Sequence, residues 1–425
     1  MARQLSVFLF GRKAGILRQE DGRLRFSYDQ AWLTAPEAAA LSQSLPLRAE
    51  SFDDRASRPF FAGLLPEGDL RDRLAKILHV SRQNDFALLD GLGGECAGAV
   101  TLEEGEEPTA AQLSGPHWLN DEELTRLLET LPRRPMMVGE AGLRLSLAGA
   151  QDKLPVLAEE GGGRLRVALP PRGAPSSHIL KPEIANIPGS VQNEAYCLTL
   201  AAACGLMAAK AVIHKIPSSG RTFLLVKRYD RLHRPDGRLD RLHQEDFCQA
   251  LGIAPEYKYQ NEGGPDLAAC FGLLRSAARP SAPEILRLLD GVIFNALAGN
   301  NDAHAKNFSL LYGQQYPTLA SLYDVMCTAV YPHLSDKMAM KIGGKYRFDD
   351  LFPRHWESFA QSAGLSPAQV KKRVLQMADL MLRRAHKLVY DLTASGLGHD
   401  ILDRIAALIE ERCALSIKRL KREDP

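Results

Sequence analysis

The 425-residue sequence lacks most of the features that let composition name a function. Its seven cysteines (Cys96, Cys197, Cys204, Cys248, Cys270, Cys327 and Cys413) are scattered, odd in number and never spaced as a metal-binding pair. That excludes a zinc-ribbon or disulfide framework and fits buried thiols in a reducing cytoplasm. An excess of one charge is also missing: the formal net charge is +2, which implies no wholesale binding to nucleic acid and leaves room only for a local basic patch. No apolar stretch nears the length of a membrane span. The N-terminal apolar run, Leu5 and Val7 to Phe10, is too short for a signal-peptide core. Internal repeats are absent too. With 45% hydrophobic and 24% charged residues the chain reads as a soluble, cytoplasmic protein of two or three domains.

What is present falls into three textures. Residues 4 to 28 alternate apolar and polar positions with Gly11 and Asp21-Gly22 at the breaks, which predicts a small antiparallel meander. Leu70, Leu74, Ile77 and Leu78 share one helical face after a turn at Pro66-Glu67-Gly68. DFALLDGLGGECAGAVTL closes this α/β module, the acidic TLEEGEEPTAAQ (101 to 112) reads as a linker, and DEELTRLLETL as a short helix. A domain boundary is expected near 105 to 135. From Arg144 the texture is strand-rich: two strands joined by a turn at Gly161 to Gly163, a third in HILKPE, and a hairpin turning at Ser218-Ser219-Gly220. One long helix from Val191 is inserted among them. From Gln244 helical periodicity dominates, broken by a hairpin in the 300s and by AMKIGGKYRF, and the chain ends in two amphipathic helices.

The polar run AGNNDAHAKNFS (298 to 309) sets Asp302 five residues before Asn307, and Asp324 follows in SLYDVM. Phosphoryl transfer needs a carboxylate to orient or deprotonate a hydroxyl and oxygen ligands for Mg²⁺ on the nucleotide phosphates. The same interval separates the catalytic Asp from the metal-binding Asn in protein kinases, but Asn300-Asn301-Asp302 and Asp324-Val325-Met326 replace the usual triplets. Alone, the spacing also fits a turn and a helix cap. Upstream, Lys181 ends a predicted strand and Glu194 lies on the next helix, the strand-lysine and helix-glutamate arrangement that positions phosphates in kinase-like folds; two solvated charges would look the same. Between two predicted strands, the small-residue loop from Ser146 through Ala148, Gly149, Ala150, Gln151, Asp152 and Lys153 lets backbone N–H groups approach phosphates, although it matches neither G-x-G-x-x-G nor Walker A. Lys227, Arg228 and Tyr229 offer backbone groups to an adenine edge, or form an ordinary connection. His304 near Asp302 raises the alternative of a two-metal phosphohydrolase, but the later histidines are isolated or on helices. In a loop of this kind His304 is more often a loop-fixing hydrogen bonder.

In order and spacing, SLAGAQDK, HILKPE, VQNEAY, VKRYDR, RLHQEDFCQALG, NNDAHAKNFSLL and LYD resemble the HipA family of serine/threonine kinases, toxins of HipBA toxin–antitoxin systems. FFAGLLPEGDLRDRLA and FALLDGLGGECAGAV extend the resemblance to the N-terminal module. It implies an α+β, two-lobed protein-kinase-like fold with an N-terminal subdomain (1–130), a small nucleotide-binding lobe (131–230) and a helical catalytic lobe (231–425). It also implies ATP and Mg²⁺ as cofactors. Asp302 would be the catalytic base, Asn307 and Asp324 the metal ligands, and Lys181 a phosphate contact supported by Glu194. Ala148 to Lys153 would form the phosphate loop and Lys227 to Tyr229 hold the adenine end; His304 and Asn307 join the expected nucleotide-binding set. Ser146 matches the family's autophosphorylated loop serine. The implied partners are a HipB-like antitoxin dimer, DNA only through it, and a protein substrate that is glutamyl-tRNA synthetase in some members. One departure is Ala303, where the family often has Gly. A competing reading makes the chain a catalytically idle module that only tethers an antitoxin.

Overall fold

A computed structural model describes residues 3–109, 115–138, 144–161, 164–313 and 316–421. The chain forms two compact units: Met1–Pro182 with His214–Pro255 and Leu311–Gln314, and Glu183–Ile213 with Glu256–Leu310 and Gln315–Pro425.

In the first unit the expected meander is formed by strands Arg3–Leu9, Arg12–Glu20 and Arg23–Tyr28, joined on the free side of the first by Val100–Glu103, all antiparallel. Gly15 is required there: a Cβ would lie 2.3 Å from the Ser27 carbonyl oxygen. Helices Asp54–Gly63, Gly68–Ile77 and Asp85–Leu92 follow. Asp53 and Asn84 cap the first and third by accepting from Ala56 and Ala87 N–H, which satisfies donors that the first helical turn leaves over. Gly68, with φ +54, makes the predicted turn. The start of the acidic segment is already in strand Val100–Glu103, and its last residues, 110 to 112, lie outside the described residues.

A second sheet runs in the order Trp118–Leu119, Arg164–Ala168, Leu154–Gly161, His178–Pro182, Thr222–Lys227. The expected turn at Gly161 to Gly163 falls partly outside the described residues. Among the described residues, Arg144 and Leu145 before the Ser146 loop are not a strand as expected but coil with an isolated bridge from Leu145 to Glu95, and within the loop Gly149 bridges Pro66. The apolar residues of this stretch, Leu145 and Leu147, are buried one by one against the N-terminal module and do not pair as a ladder. One apolar core holds residues of both sheets, including Leu5, Phe26, Leu154, Leu180 and Phe223, together with Phe61 of helix Asp54–Gly63.

The second unit is helical: Ser190–Ala203, Leu267–Ala277, Ala282–Ala298, Pro353–Ser362, Pro367–Ala394 and Ile401–Lys421. Val370, Val374, Met377, Ala378, Met381 and Ala385 are the buried stripe of the long helix, at the three- and four-residue spacing that puts side chains on one face. It packs on the last helix, whose Ile405, Ile409 and Cys413 are buried. The hairpin Lys337–Ile342 with Lys345–Arg347 turns at Gly343-Gly344, where φ is +53 and +83. All seven cysteines are buried and free, and burial pushes the thiols up, to about 11 for Cys204 and Cys327 and to about 12 for Cys413. Among the described residues no helix is long and apolar enough to cross a membrane.

Candidate active site

The loop carrying Asp302 begins where helix Ala282–Ala298 stops. Gly299 takes the left-handed conformation (φ +75) as its C-cap, and a Cβ there would meet Leu408, Ala329 and Cys327 at 3.0–3.1 Å, so glycine ends the helix without strain or overlap. Three neutral amides then fix the backbone. Asn295 Nδ2 donates to Gly291 O (2.9 Å), Asn300 Nδ2 donates to Asn295 Oδ1 (2.8 Å), and Asn300 Oδ1 accepts from Asp302 N–H (3.2 Å). Asn301 receives Ala339 N–H at its carbonyl (2.8 Å), gives its own N–H to Thr328 Oγ1 (2.9 Å) and its Nδ2 to Ser335 O (3.0 Å). All three asparagines are at most 5% exposed. An amide both donates and accepts, so it can tie buried backbone without bringing a charge inside.

Asp302 itself is exposed. Its carbonyl accepts from His304 N–H (2.8 Å) and from Asn307 Nδ2 (3.0 Å), so the five-residue spacing closes a real contact, and the Asn307 amide oxygen, an atom able to ligate a cation, takes no part in it. One carboxylate oxygen, Oδ1, accepts from the Tyr259 hydroxyl at 2.7 Å. His304 is buried, and its ring stands edge to face with Tyr259, centroids 5.2 Å apart at 80°.

Asp324 has φ +51, an uncommon conformation for a residue with a Cβ that costs on the order of 1–3 kcal/mol and tends to occur at functional sites. The chain is pinned on both sides of it. Leu322 exchanges backbone bonds with Met207 and Ala209 (2.8 Å each). Asn193, fully buried, accepts from Cys327 N–H (2.8 Å) and donates to Cys327 O (3.0 Å). Glu194, 2% exposed, is the next residue on that helix. Asn307 and Asp324 offer the hard oxygens that suit Mg²⁺. No group of three or more His, Cys, Asp or Glu side chains capable of holding a metal occurs among the described residues, so the ligand set of a two-metal phosphohydrolase is not assembled there.

The remaining sequence candidates belong to the first unit. Ser146 has no exposed surface; its hydroxyl donates to Leu64 O (2.8 Å) and its N–H to Glu95 O (2.9 Å). Downstream, Gly149 (φ +104) gives its carbonyl to Glu67 N–H (3.1 Å), Lys153 Nζ closes the loop onto Ala148 O, and Asp152 pairs with Arg73 (2.8 Å). Ala150 is exposed and Gln151 half-buried. Lys181 is 4% exposed, paired opposite Leu224 in the sheet. Lys227 is exposed and Tyr229 half-buried, its hydroxyl donating to Gln244 Oε1.

Arg228 is placed differently from its neighbours. Its guanidinium donates to Asp230 (2.9 Å) and Glu95 (3.1 Å), and its N–H to Ser177 O (3.0 Å). Arg231 and Arg241 also donate to Glu95, at 2.8 and 2.6 Å. Burial alone would raise the Glu95 carboxyl, yet Arg231, Arg241 and Arg228 hold it far below the usual carboxylate range; Asp230 falls to about 2 by the same balance, with Arg228 and Arg231 as its partners. The Arg228 side chain is therefore committed to the interior of its unit.

The HipA-like C-terminal domain family matches residues 145–385, and the HipA N-terminal domain family matches residues 5–103. The chain belongs to the HipA family. Among HipA relatives, "Putative kinase Y4mE" of Sinorhizobium fredii is 46% identical over 394 residues, 92% of each chain. The "Serine/threonine-protein kinase toxin HipA" of Shewanella oneidensis is 29% identical over 76% of this chain and 75% of that one. The solved Shewanella oneidensis MR-1 complex of HipA, HipB and operator DNA matches with a TM-score of 0.81 at 23% identity, over 99% of this chain and 100% of that one. The fold is accordingly the two-lobed, kinase-like α+β fold of HipA.

Several participants escaped sequence reasoning. Asn193, Asn295, Asn300 and Asn301 act through hydrogen bonds to residues 4 to 134 positions away, which no local pattern encodes. Tyr259 lies 43 residues before Asp302 in a segment without periodicity. Its only sequence signal is the Gly263-Gly264-Pro265 that follows, a mark of a fixed turn.

Proposed function

We propose that the protein is a serine/threonine kinase that uses ATP and Mg²⁺, with Asp302 as the base that orients and deprotonates the acceptor hydroxyl. The observation that carries this reading is the exposed carboxylate of Asp302 bonded through its backbone to Asn307, in the same unit as a left-handed, doubly pinned Asp324. Asn307 and Asp324 would hold Mg²⁺, which would supply positive charge for the nucleotide phosphates. Lys181 contacts the phosphates, Ala148 to Lys153 cradle them with backbone N–H groups, and Lys227 to Tyr229 border the adenine through backbone groups. His304 serves the nucleotide site by holding its loop.

The antitoxin and DNA assignments follow the Shewanella oneidensis relative, whose name joins kinase and toxin and whose solved complex includes HipB and operator DNA, and the acceptor and Ser146 assignments follow the family resemblance alone. By that analogy the chain arrests growth, binds a HipB-like antitoxin dimer and meets DNA through it, in the cytoplasm. Its acceptor is a protein serine, with glutamyl-tRNA synthetase the first candidate, and its own Ser146. Incubation with labelled ATP and Mg²⁺ is expected to label the chain, and Asp302→Gln to abolish labelling. Phosphoproteomes of cells expressing the two forms then identify the acceptor. A Gln variant that labels as fast as wild type overturns the assignment of the base.

A further inference from the structure

The strand Lys337–Ile342 does two things at once in the second unit. The N–H of Ala339 donates to Asn301 O (2.8 Å), the residue just before Asp302, and the N–H of Lys341 donates to Gln260 Oε1 (2.7 Å), the residue just after Tyr259. Residues two apart on a strand point their N–H groups to the same edge. One rigid edge therefore sets both the loop that carries the carboxylate and the turn that carries the phenol. That turn is itself tightly built. Tyr259 O accepts from Glu262 N–H (3.0 Å) and Gly264 N–H (2.9 Å), Gly263 has φ +95, and a Cβ on Gly264 would lie 2.2 Å from Tyr257 O. The phenol ring leans on the buried His304 ring, which belongs to the same loop as Asp302.

Resting on the reading of Asp302 as the base, we propose that Tyr259 is a positioning residue: its hydroxyl holds Asp302 Oδ1, leaving Oδ2 to take the acceptor proton. A carboxylate on an exposed loop otherwise rotates about its terminal torsion, which is broad, and each misoriented rotamer is lost to transfer. The Tyr259 hydroxyl removes that freedom, and the strand edge prevents the two loops from drifting apart. The Tyr259 hydroxyl bonds the base, and the ring contact with His304 survives its removal, so loss of the hydroxyl acts on the rate at saturating ATP.

The test uses the full chain with labelled ATP and Mg²⁺, measuring the first-order rate of self-labelling against ATP concentration for wild type, Tyr259→Phe and Asp302→Asn. Phenylalanine keeps the ring on His304 and removes only the hydroxyl, and thermal unfolding of each variant verifies folding. The expected result is a silent Asp302→Asn and a Tyr259→Phe rate lower by about tenfold, with the half-saturating ATP concentration unchanged. With Asp302→Asn silent, a Tyr259→Phe rate equal to or above wild type, or a loss confined to the half-saturating concentration, overturns this inference and leaves the kinase reading standing. Wild-type labelling by Asp302→Asn overturns both.

Discussion

Glu95 in the first unit and Asp302 in the second are both carboxylates at the centre of polar clusters, and nearly everything else about them differs. Glu95 is buried, takes hydrogen bonds from three arginines, and is held far from its usual protonation equilibrium by them. Asp302 is exposed, has one side-chain donor, and stands on a scaffold of uncharged amides. A search for function by the most perturbed carboxylate would stop at Glu95. Both carboxylate oxygens of Glu95 and both of Asp230 accept hydrogen bonds from the protein, so the cluster ties Cys96, Ser176, Asp230 and Arg241 into one unit. The amide scaffold does the reverse. It uses up backbone groups and leaves a carboxylate facing solvent.

Three changes break or sharpen this contrast. The largest effect is expected on activity: Asp324→Asn should reduce phosphoryl transfer on the order of 10²–10³-fold, with no loss of stability, because Asn tolerates the left-handed backbone that Asp324 adopts. Rate and urea midpoint measured on the same preparation check it; transfer at the wild-type rate would remove Asp324 from the metal site. Next comes Glu95→Ala, which takes one carboxylate from among three guanidiniums and leaves Asp230, paired with Arg228 and Arg231, as the remaining anion of the cluster. A stability loss of about 3–5 kcal/mol in urea unfolding is expected, and a loss below about 1 kcal/mol would mean that the cluster is merely tolerated.

The smallest effect concerns Glu245, a second fully buried carboxyl of the first unit, which accepts from Gln43 N–H (3.0 Å) and the Tyr312 hydroxyl but has no arginine. Burial pushes it up to about 7. Its folded-state value lies above the unfolded one, so its contribution to stability is complete below about pH 4.5 and is lost as pH rises through 7. The loss amounts to ~3 kcal/mol. Glu95 has the opposite sign, with its contribution present above the unfolded carboxyl range and lost as pH falls toward its depressed value. Glu245→Gln should flatten the fall in stability between pH 5 and 8 and leave the acid limb alone; an unaltered neutral limb in urea titrations would refute the role of Glu245.

Much of this was legible in the sequence where the determinants are local. The glycines at breaks in an alternating pattern gave the N-terminal meander, Leu70 and Leu74 gave a helix face, and the Asp302 to Asn307 interval gave a contact now seen as a 3.0 Å hydrogen bond. The expected strand before Ser146 was not found, because Leu145 and Leu147 alternate like a strand but are buried without a ladder partner. The left-handed Asp324 could not be read, since the chain beyond it is held at Cys327 by Asn193, a helix residue 134 positions earlier. The Glu95 cluster was hidden for the same reason: its members are separated by up to 146 residues, and each charge by itself resembles a solvated one.

The burial of Ser146 has a kinetic meaning. A hydroxyl with no exposed surface, donating to Leu64 O, cannot enter any enzyme's active site from this conformation. Whatever kinase modifies it, the observed rate is the product of transfer and the small fraction of molecules in which residues 146 to 153 have come away from Leu64, Glu67 and Arg73. Phosphorylation at this position would therefore run as a clock, its period lengthened by each bond that seats the loop and shortened by anything that loosens the helices beneath it.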